Sequence, residues 1–270
     1  MDRREFLRLL GIGALASGAA GCAAGSRPGK GMAAMYDVAS FGNARLLHFA
    51  DCHAQLLPVY FREPNVNIGI GESTGRLPHL VGEALLRNAQ IPAGTAEAPA
   101  FTDIAFEAEA RRLGKVGGFA HLATLEKKLR QEGPGGQALL LDSGDTWQGS
   151  GTALWTRGRD MVDACNLLGV DIMTGHWEFT YLEDEIRANV DAFQGDFVAQ
   201  NVKLTDDAAF FDVPAFDPDS GHAFRPYTMK EMGGQRIAVI GQAFPYTPIA
   251  NPSRFIPNWT FGIRARELQA

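Results

Sequence analysis

Two carboxylates and two imidazoles are candidates for holding metal ions. Asp51 and His53 are two residues apart, which in an extended segment places both side chains on the same face. Asp145 and His176 each follow a glycine, where the backbone is free to turn and direct the next side chain inward. One carboxylate can bridge two cations about 3.5–4 Å apart, as in two-metal hydrolytic sites. Mixed oxygen and nitrogen ligands favour manganese, iron or zinc over calcium or magnesium.

Each candidate lies where a short apolar run ends. Strands are predicted at Leu46–Ala50, Ala138–Leu141, Val170–Thr174, Phe197–Asn201, Phe224–Met232 and Arg236–Gln242, and helices at Phe119–Gln131, Asp160–Leu168 and Leu182–Ala192. Residues 60–118 show little periodicity and are predicted to form a long loop or insertion. Alternating strands and helices predict an α/β fold with a mostly parallel or mixed sheet. Because functional groups gather at the carboxyl ends of such strands, the four candidates are expected to meet there.

The charge distribution argues against a nucleic-acid partner. The net charge of the 270 residues is −6, and residues 1–30 carry +3, so the remainder carries −9. Hydrophobic residues make up 46% of the chain, which is typical of a globular protein, and no stretch predicts a transmembrane anchor. The three cysteines form no disulfide scaffold, and Cys52 and Cys165 are expected to pack in the core.

Residues 1–26 have the pattern of a twin-arginine signal peptide. Arg3 and Arg4 precede a weakly apolar, glycine-containing segment, which favours the Tat pathway and predicts a periplasmic protein. The alternative is an N-terminal amphipathic helix, which the glycines disfavour. Cys22 is a candidate acceptor for a lipid anchor. Residues 27–43 are predicted to be a linker, and residues 44–270 the folded domain.

The motifs resemble those of a known superfamily. Asp51-Cys52-His53, Gly144-Asp145 and Gly175-His176-Trp177-Glu178 resemble motifs of the calcineurin-like metallophosphoesterases, in particular the 5′-nucleotidase branch. Gly117-Gly118-Phe119-Ala120 and Asn201 also agree with that branch. Its third motif is normally Gly-Asn-His-Glu, so His176 replaces the Asn and Trp177 replaces the His. The string Gly-His-Trp-Glu-Phe-Thr-Tyr, with the twin-arginine leader, is similar to the SoxB-type thiosulfohydrolases of sulfur oxidation.

The resemblance implies a metallophosphoesterase αββα sandwich with two divalent metal ions, manganese first and zinc or iron as alternatives. Asp51 and His53 would hold one ion, Asp145 would bridge, and His176 would hold the second. The nucleophile would be a hydroxide on the metals rather than a side chain. Trp177, Glu178 and Asn201 would lie beside the metals or the substrate. The implied reaction releases sulfate from a cysteine S-sulfonate on the Sox sulfur-carrier protein, and thereby serves thiosulfate oxidation.

The replacement of His by Trp177 also has a chemical rationale. A histidine acid assists a poor alkoxide leaving group by about 10²–10⁴-fold, whereas a persulfide leaves as a stable anion without such help. Trp177 should therefore impair nucleotide hydrolysis more than sulfonate hydrolysis. Its alternative role is packing under the site, which is compatible with either substrate.

Two alternatives to the thiosulfohydrolase stay open. One is a 5′-nucleotidase-like phosphomonoesterase on the same fold. The other is a truncated chain that binds metal or a partner without turnover, because the family has further metal-binding histidines downstream and a C-terminal substrate domain. The sequence after His222 supplies no such histidines. The metallophosphoesterase domain is therefore expected to be incomplete at its C-terminus, with the ligands for one metal and part of a second.

Overall fold

The computed structural model describes residues 42–60, 69–95, 97–104 and 106–269. The strands are β1 (Leu46–Phe49), β2 (Val59–Tyr60), β3 (Lys115–Val116), β4 (Leu139–Asp142), β5 (Ile172–Met173), β6 (Asp196–Phe197), β7 (Lys203–Leu204), β8 (Tyr227–Met232), β9 (Gln235–Ile240) and β10 (Trp259–Thr260). The helices are α1 (Gly82–Ala89), α2 (Ala98–Phe101), α3 (Phe106–Leu113), α4 (Phe119–Gln131), α5 (Gly151–Thr156), α6 (Arg159–Leu168), α7 (Glu183–Ala192), α8 (Asp206–Phe210), α9 (Thr247–Ala250) and α10 (Ala265–Leu268). The predicted signal peptide, and the linker up to residue 41, lie outside the described residues.

A four-stranded parallel sheet forms the centre of the fold. Its strand order is β1-β4-β5-β6, and Phe49 of β1 pairs with Asp142 of β4, which in turn pairs with Met173 of β5. Three of the four residues of β4 are buried, as expected for a central strand covered on both faces. The α/β architecture and the parallel sheet predicted from the sequence are confirmed. The strands at β5 and β6 are shorter than predicted.

Helices α4, α6 and α7 flank the sheet, and their bounds agree with the prediction to within one residue. In α6 the buried residues Met161, Val162, Cys165 and Leu168 recur at helical spacing. They join one hydrophobic core with Leu140, Met173, Phe179 and Ile186. Cys165 is fully buried in this core and Cys52 packs against it, as predicted for both cysteines.

Of the two alternatives predicted for residues 60–118, the long loop is wrong, and the insertion stays a prediction. This stretch contains α1, α2 and α3, and its strand β3 pairs antiparallel with β2. The helices are short and bury little: Leu86 is the buried residue of α1, and Ala110 is that of α3. A helix of eight residues or fewer repeats its apolar pattern over little more than two turns, which is shorter than the window of about 11–18 residues in which periodicity is recognised.

Beyond β6 the chain forms the antiparallel hairpin β8–β9, which is joined through Gly233-Gly234 as predicted. A parallel bridge between Val198 and Arg225 connects this region to the end of β6. Among the described residues, no helix has the length and apolar character needed to cross a bilayer.

Candidate metal centre

The four predicted metal ligands come from three loops at the carboxyl edge of the parallel sheet. Asp51 and His53 follow β1, Asp145 follows β4, and His176 follows β5. Parallel strands end at the same edge of a sheet, so loops distant in sequence become neighbours. Asp145 lies within reach of both imidazoles, at 3.3 Å from His53 and 3.2 Å from His176.

Asp51 and His53 reach the site through a left-handed turn rather than an extended segment. The φ angles of Asp51, His53 and Ala54 are 57°, 48° and 51°. Three backbone hydrogen bonds fix this turn against the loop after β4: Asp51 N–H donates to Gly144 O at 3.0 Å, His53 N–H to Asp145 O at 2.9 Å, and Ala54 N–H to Thr146 O at 3.1 Å. The expectation of an extended segment is therefore wrong. Such sparsely populated conformations persist only where surrounding contacts impose them.

Asp145 is the central residue of the cluster. It is only 3% exposed, and its φ of 59° is also left-handed. Its Oδ2 atom lies 3.3 Å from His53 Nε2 and 3.2 Å from His176 Nδ1. Its other oxygen, Oδ1, accepts a hydrogen bond from Gln148 Nε2. Oδ2 is thus the oxygen that faces both imidazoles, and Gln148, which the sequence did not point to, fixes the carboxylate orientation.

The donor set fits a divalent cation. Ligand atoms of Asp51, His53 and Asp145 lie within 4.8 Å of one another, with His53 Nε2 4.0 Å from Asp51 Oδ1. His176 Nδ1 is buried and has no hydrogen-bond partner among the described residues, although it lies 3.2 Å from Asp145 Oδ2. A buried nitrogen left without a hydrogen bond is explained when it serves as a metal ligand. The oxygen and nitrogen donors suit manganese, iron or zinc.

Glu178 connects the loops that carry Asp145 and His176. Its side chain is fully buried, and its carboxylate accepts four backbone N–H bonds, from Asp145, Thr146, Trp147 and His176, at 2.7–3.2 Å. Glu178 was predicted as a site residue from the resemblance alone. Its bonds to the backbone depend on tertiary structure and have no signature in a single sequence.

Gly144 lets these two loops approach each other. It has a φ of 91°, and a Cβ atom there would lie 2.8 Å from both His176 N and Thr174 O. A side chain at this position would push apart the loops after β4 and β5. The glycine before Asp145 therefore has a steric role as well as a conformational one.

Asp142 lies beneath the metal-ligand cluster at the end of β4. Its Oδ1 accepts hydrogen bonds from Gly144 N at 2.9 Å and Thr146 Oγ1 at 3.0 Å, whereas its buried Oδ2 has no partner among the described residues. Burial, together with the nearby charge of Glu178, raises the pKa of Asp142 to about 8. Burial and the charge of Asp142 likewise raise the pKa of Cys52 to about 11, which keeps that thiol protonated at neutral pH.

Aromatic rings border the cluster on the His176 side. Trp177 stacks on Phe244, with ring centroids 6.1 Å apart and an interplanar angle of 26°. Phe244 also lies 4.7 Å from the His176 ring, and Tyr246 packs on its edge at 5.8 Å. Phe244 and Tyr246 follow β9 and were not predicted. The sequence signal available was the position of Phe244-Pro-Tyr just after a strand.

Asn201 is fully buried and bonds to the backbone. Its Nδ2 donates to Ala243 O at 2.8 Å and to Gly262 O at 3.1 Å, and its Oδ1 accepts from Ala243 N at 2.8 Å. With its amide used in this way, Asn201 ties the segment after β6 to those after β9 and β10. None of these hydrogen bonds goes to Asp51, His53, Asp145 or His176.

The chain is similar to several known proteins. The sulfate thiohydrolase SoxB from Thermus thermophilus, solved with glycerol, is 34% identical and superimposes with a TM-score of 0.61 over 87% of this chain and 41% of that one. The 5′-nucleotidases of Rattus norvegicus and Mus musculus are 31% and 30% identical over 143 residues, which is 51% of this chain and 23% of each relative. No family model matches the chain.

The chain thus spans less than half the length of these three relatives. The α/β fold of the described residues is nevertheless that of the calcineurin-like phosphoesterases. A candidate Asp-His-Asp metal group lies at the carboxyl edge of its sheet. The chain is a SoxB-like member of the 5′-nucleotidase and calcineurin-like metallophosphoesterase superfamily, whose members are metal-dependent hydrolases.

Proposed function

We propose that this chain is the metal-binding part of a thiosulfohydrolase that releases sulfate from a cysteine S-sulfonate on a Sox sulfur-carrier protein. The observation that carries the proposal is the pair His176 and Trp177. His176 Nδ1 is directed at the shared carboxylate of Asp145, while Trp177 stands where the phosphomonoesterases of the superfamily have histidine. The similarity to the Thermus thermophilus sulfate thiohydrolase supports the same reaction.

Two divalent ions, manganese first and zinc or iron as alternatives, would be held by the four ligand candidates. Asp51 and His53 would bind the first ion, His176 the second, and Asp145 Oδ2 would contact both. Bound there, the ions would supply positive charge that polarises the substrate and increases the acidity of water. The bond from Gln148 to Asp145 Oδ1 keeps Oδ2 directed toward both imidazoles.

The leaving group explains why Trp177 is compatible with this reaction. An indole N–H is not a useful proton donor to a leaving oxygen, so a phosphomonoester with an alkoxide leaving group would lose a general-acid contribution of about 10²–10⁴-fold. A sulfur leaving group departs as a much weaker base and needs little such help. The ring of Trp177, stacked on Phe244, would instead cover one side of the site against water.

Export is the remaining part of this proposal. Residues 1–26 would act as a twin-arginine signal and residues 27–43 as a linker, so that the domain from residue 44 functions in the periplasm. The Sox carrier would meet the protein in that compartment. Cys22 stays a candidate for lipid attachment.

A 5′-nucleotidase activity is the second candidate, because both curated relatives at 30–31% identity are 5′-nucleotidases. The native protein, loaded with Mn²⁺, should be assayed for sulfate release from a protein-bound cysteine S-sulfonate and for phosphate release from 5′-AMP. We expect the kcat/KM for the S-sulfonate to be higher, and the Asp145→Asn variant to release neither product. A higher kcat/KM for 5′-AMP would contradict the thiosulfohydrolase proposal and favour the nucleotidase.

A further inference from the structure

The carboxylate of Glu178 is buried without a cation beside it. Its relative exposure is 0%, and no ion pair joins it to a lysine, arginine or histidine in the part of the chain that the structure describes. A buried carboxylate is tolerated only when hydrogen bonds replace its hydration. Here both oxygens are used: Oε1 accepts from Thr146 N at 2.7 Å and Trp147 N at 3.2 Å, and Oε2 accepts from His176 N at 2.7 Å and Asp145 N at 3.1 Å.

The four donors belong to two loops. Asp145, Thr146 and Trp147 lie in the loop after β4, and His176 lies in the loop after β5. Oε2 accepts the backbone N–H groups of the two ligand candidates themselves, Asp145 and His176. A change in the position of this single oxygen would therefore alter the distance between His176 Nδ1 and Asp145 Oδ2.

The loops after β4 and β5 lie close together around this carboxylate. A Cβ atom on Gly144 would lie 3.1 Å from Glu178 Oε2 and 2.8 Å from His176 N, so the two loops and the carboxylate are in close contact. The turn containing Asp51 and His53 is held differently. Its three backbone hydrogen bonds go to the carbonyl groups of residues 144–146, and none of them involves Glu178.

We propose that Glu178 is a positioning residue that preforms the second cation position by fixing His176 relative to Asp145. This inference rests on the metal-dependent function proposed above. The turn that carries Asp51 and His53 makes no hydrogen bond to Glu178, whereas the backbone of His176 bonds to it directly, so His176 depends on this carboxylate more than those two ligands do. Loss of the carboxylate should therefore weaken the second ion more than the first.

The test compares Glu178→Gln with Glu126→Gln in the native protein. Glu126 is also buried, but it pairs with Arg130 on α4 and belongs to no loop of the site, so it controls for the loss of a buried carboxylate. Mn²⁺ binding is followed by calorimetric titration, and the coupling between ions by electron paramagnetic resonance. For Glu178→Gln we expect the second ion to bind about 10- to 100-fold more weakly, with the coupled signal replaced by that of isolated Mn²⁺. Glu126→Gln should behave as wild type.

Two results for a folded Glu178→Gln variant would overturn the inference: wild-type affinity for both ions, or equal weakening of both. Amide hydrogen exchange of the wild-type protein tests the same contacts if that variant does not fold. The amides of Asp145, Thr146, Trp147 and His176 should then exchange as slowly as those of β4, and exchange at the rate of exposed loops would overturn the inference. A wild-type protein that binds less than one Mn²⁺ contradicts the proposed function instead, and the exchange rates still decide the role of Glu178.

Discussion

At the residue scale, the two oxygens of Asp145 make different contacts. Oδ1 accepts the hydrogen bond of Gln148, and Oδ2 lies 3.3 Å from His53 Nε2 and 3.2 Å from His176 Nδ1. Oδ2 lies between two imidazole nitrogens, and the other oxygen of the carboxylate is held by Gln148. An oxygen in this position is suited to being shared by two ions. The side chain is almost fully buried, so its charge needs such a partner.

Asp145→Asn should therefore lose both metals. An amide has one acceptor oxygen, so either the bond from Gln148 or the contact with the cations is lost, and a neutral amide bridges two cations poorly. Metal content after dialysis, measured by mass spectrometry of the digested protein, checks this. Asp163→Asn is the matched control, because Asp163 is exposed on α6 and pairs only with Arg159 at 2.9 Å. An Asp145→Asn variant with wild-type metal content would show that this carboxylate does not bridge.

Asp142 makes the stability of the metal-free protein depend on pH. Its pKa is raised to about 8 in the folded state, against an ordinary aspartate pKa of 3.8. The folded state thus binds one more proton than the unfolded state between these values, and the stabilisation is lost as pH rises, by up to about 1.4 kcal/mol per pH unit. Asp142→Asn retains the acceptor Oδ1 and cannot ionise. Urea unfolding of the two metal-free proteins should show wild type losing stability relative to the variant by ~2 kcal/mol between pH 6 and pH 7.5.

A constant difference in the free energy of unfolding between these two proteins across that pH range would mean that Asp142 does not titrate there. Asp196 serves as an internal comparison, because its pKa is shifted in the opposite direction from that of Asp142. Burial tends to raise its pKa, but hydrogen bonds from Lys230 and Thr228 and the charges of Lys230 and Arg225 outweigh burial, so the pKa is lowered. Its contribution to stability is lost only as pH falls through the acidic range.

At the scale of elements, the loops after the strands decide how the site is built. The sequence predicted which loops carry Asp51, His53, Asp145 and His176, because an apolar run followed by polar ligands can be recognised in the sequence itself. It did not predict the left-handed turn at Asp51 and His53, since neither residue type requires a positive φ. That conformation is imposed by the three backbone hydrogen bonds to residues 144–146, and these bonds can form only after the sheet has brought the two loops together.

Some helices were likewise predicted from the sequence and others were not. Helices α4, α6 and α7 have 13, 10 and 10 residues, and their bounds were predicted within one residue. Helices α1 and α3 have eight residues each and α5 has six, so the pattern that each one repeats spans little more than two turns and is too short to recognise. The bonds of Glu178 and the stacking of Phe244 on Trp177 join residues far apart in sequence. No local pattern could have predicted those contacts.

Gly149 is a testable contact between two of these loops. Its φ is 123°, and a Cβ atom there would lie 2.5 Å from His53 O. Gly149→Ala should displace the turn that carries His53, lower the free energy of unfolding by about 1–3 kcal/mol and weaken Mn²⁺ binding. Calorimetric titration and urea unfolding measure both effects.

Gly151→Ala provides the matched control. At Gly151 a Cβ atom would meet the Trp155 ring at 3.7 Å, an ordinary contact, and the residue begins α5. That variant should keep wild-type metal affinity and be equally stable or slightly more stable, by about 0.4–1 kcal/mol. Equal metal affinities for the Gly149→Ala and Gly151→Ala variants would show that Gly149 does not affect the position of His53.

At the scale of the whole molecule, the candidate ligands come from three segments that only the folded sheet brings together. The unfolded chain cannot present this arrangement, so an ion that binds the site binds the native state. The fold and the superfamily follow from sequence motifs and are supported by the Thermus thermophilus relative. The substrate depends on surfaces beyond the metal group, and this chain spans 41% of that relative, which is why the substrate remains a proposal.

Mn²⁺ should therefore stabilise the whole fold. At a free concentration 100 times the dissociation constant, the expected gain is about 2.7 kcal/mol, which corresponds to a rise in Tm of roughly 5–10 °C. Thermal unfolding followed by circular dichroism, with and without Mn²⁺, measures this gain. Asp145→Asn should show no such rise, and an equal rise in that variant would indicate that Mn²⁺ binds elsewhere.

The most direct test of the metal centre is anomalous diffraction at the manganese absorption edge from crystals of the Mn²⁺-loaded protein. We predict two peaks about 3.5–4 Å apart. One should lie in contact with Asp51, His53 and Asp145, and the other in contact with Asp145 and His176. The absence of a peak at Asp145, or strong peaks only at other places on the surface, would contradict the assignment of these four side chains as a dinuclear metal centre.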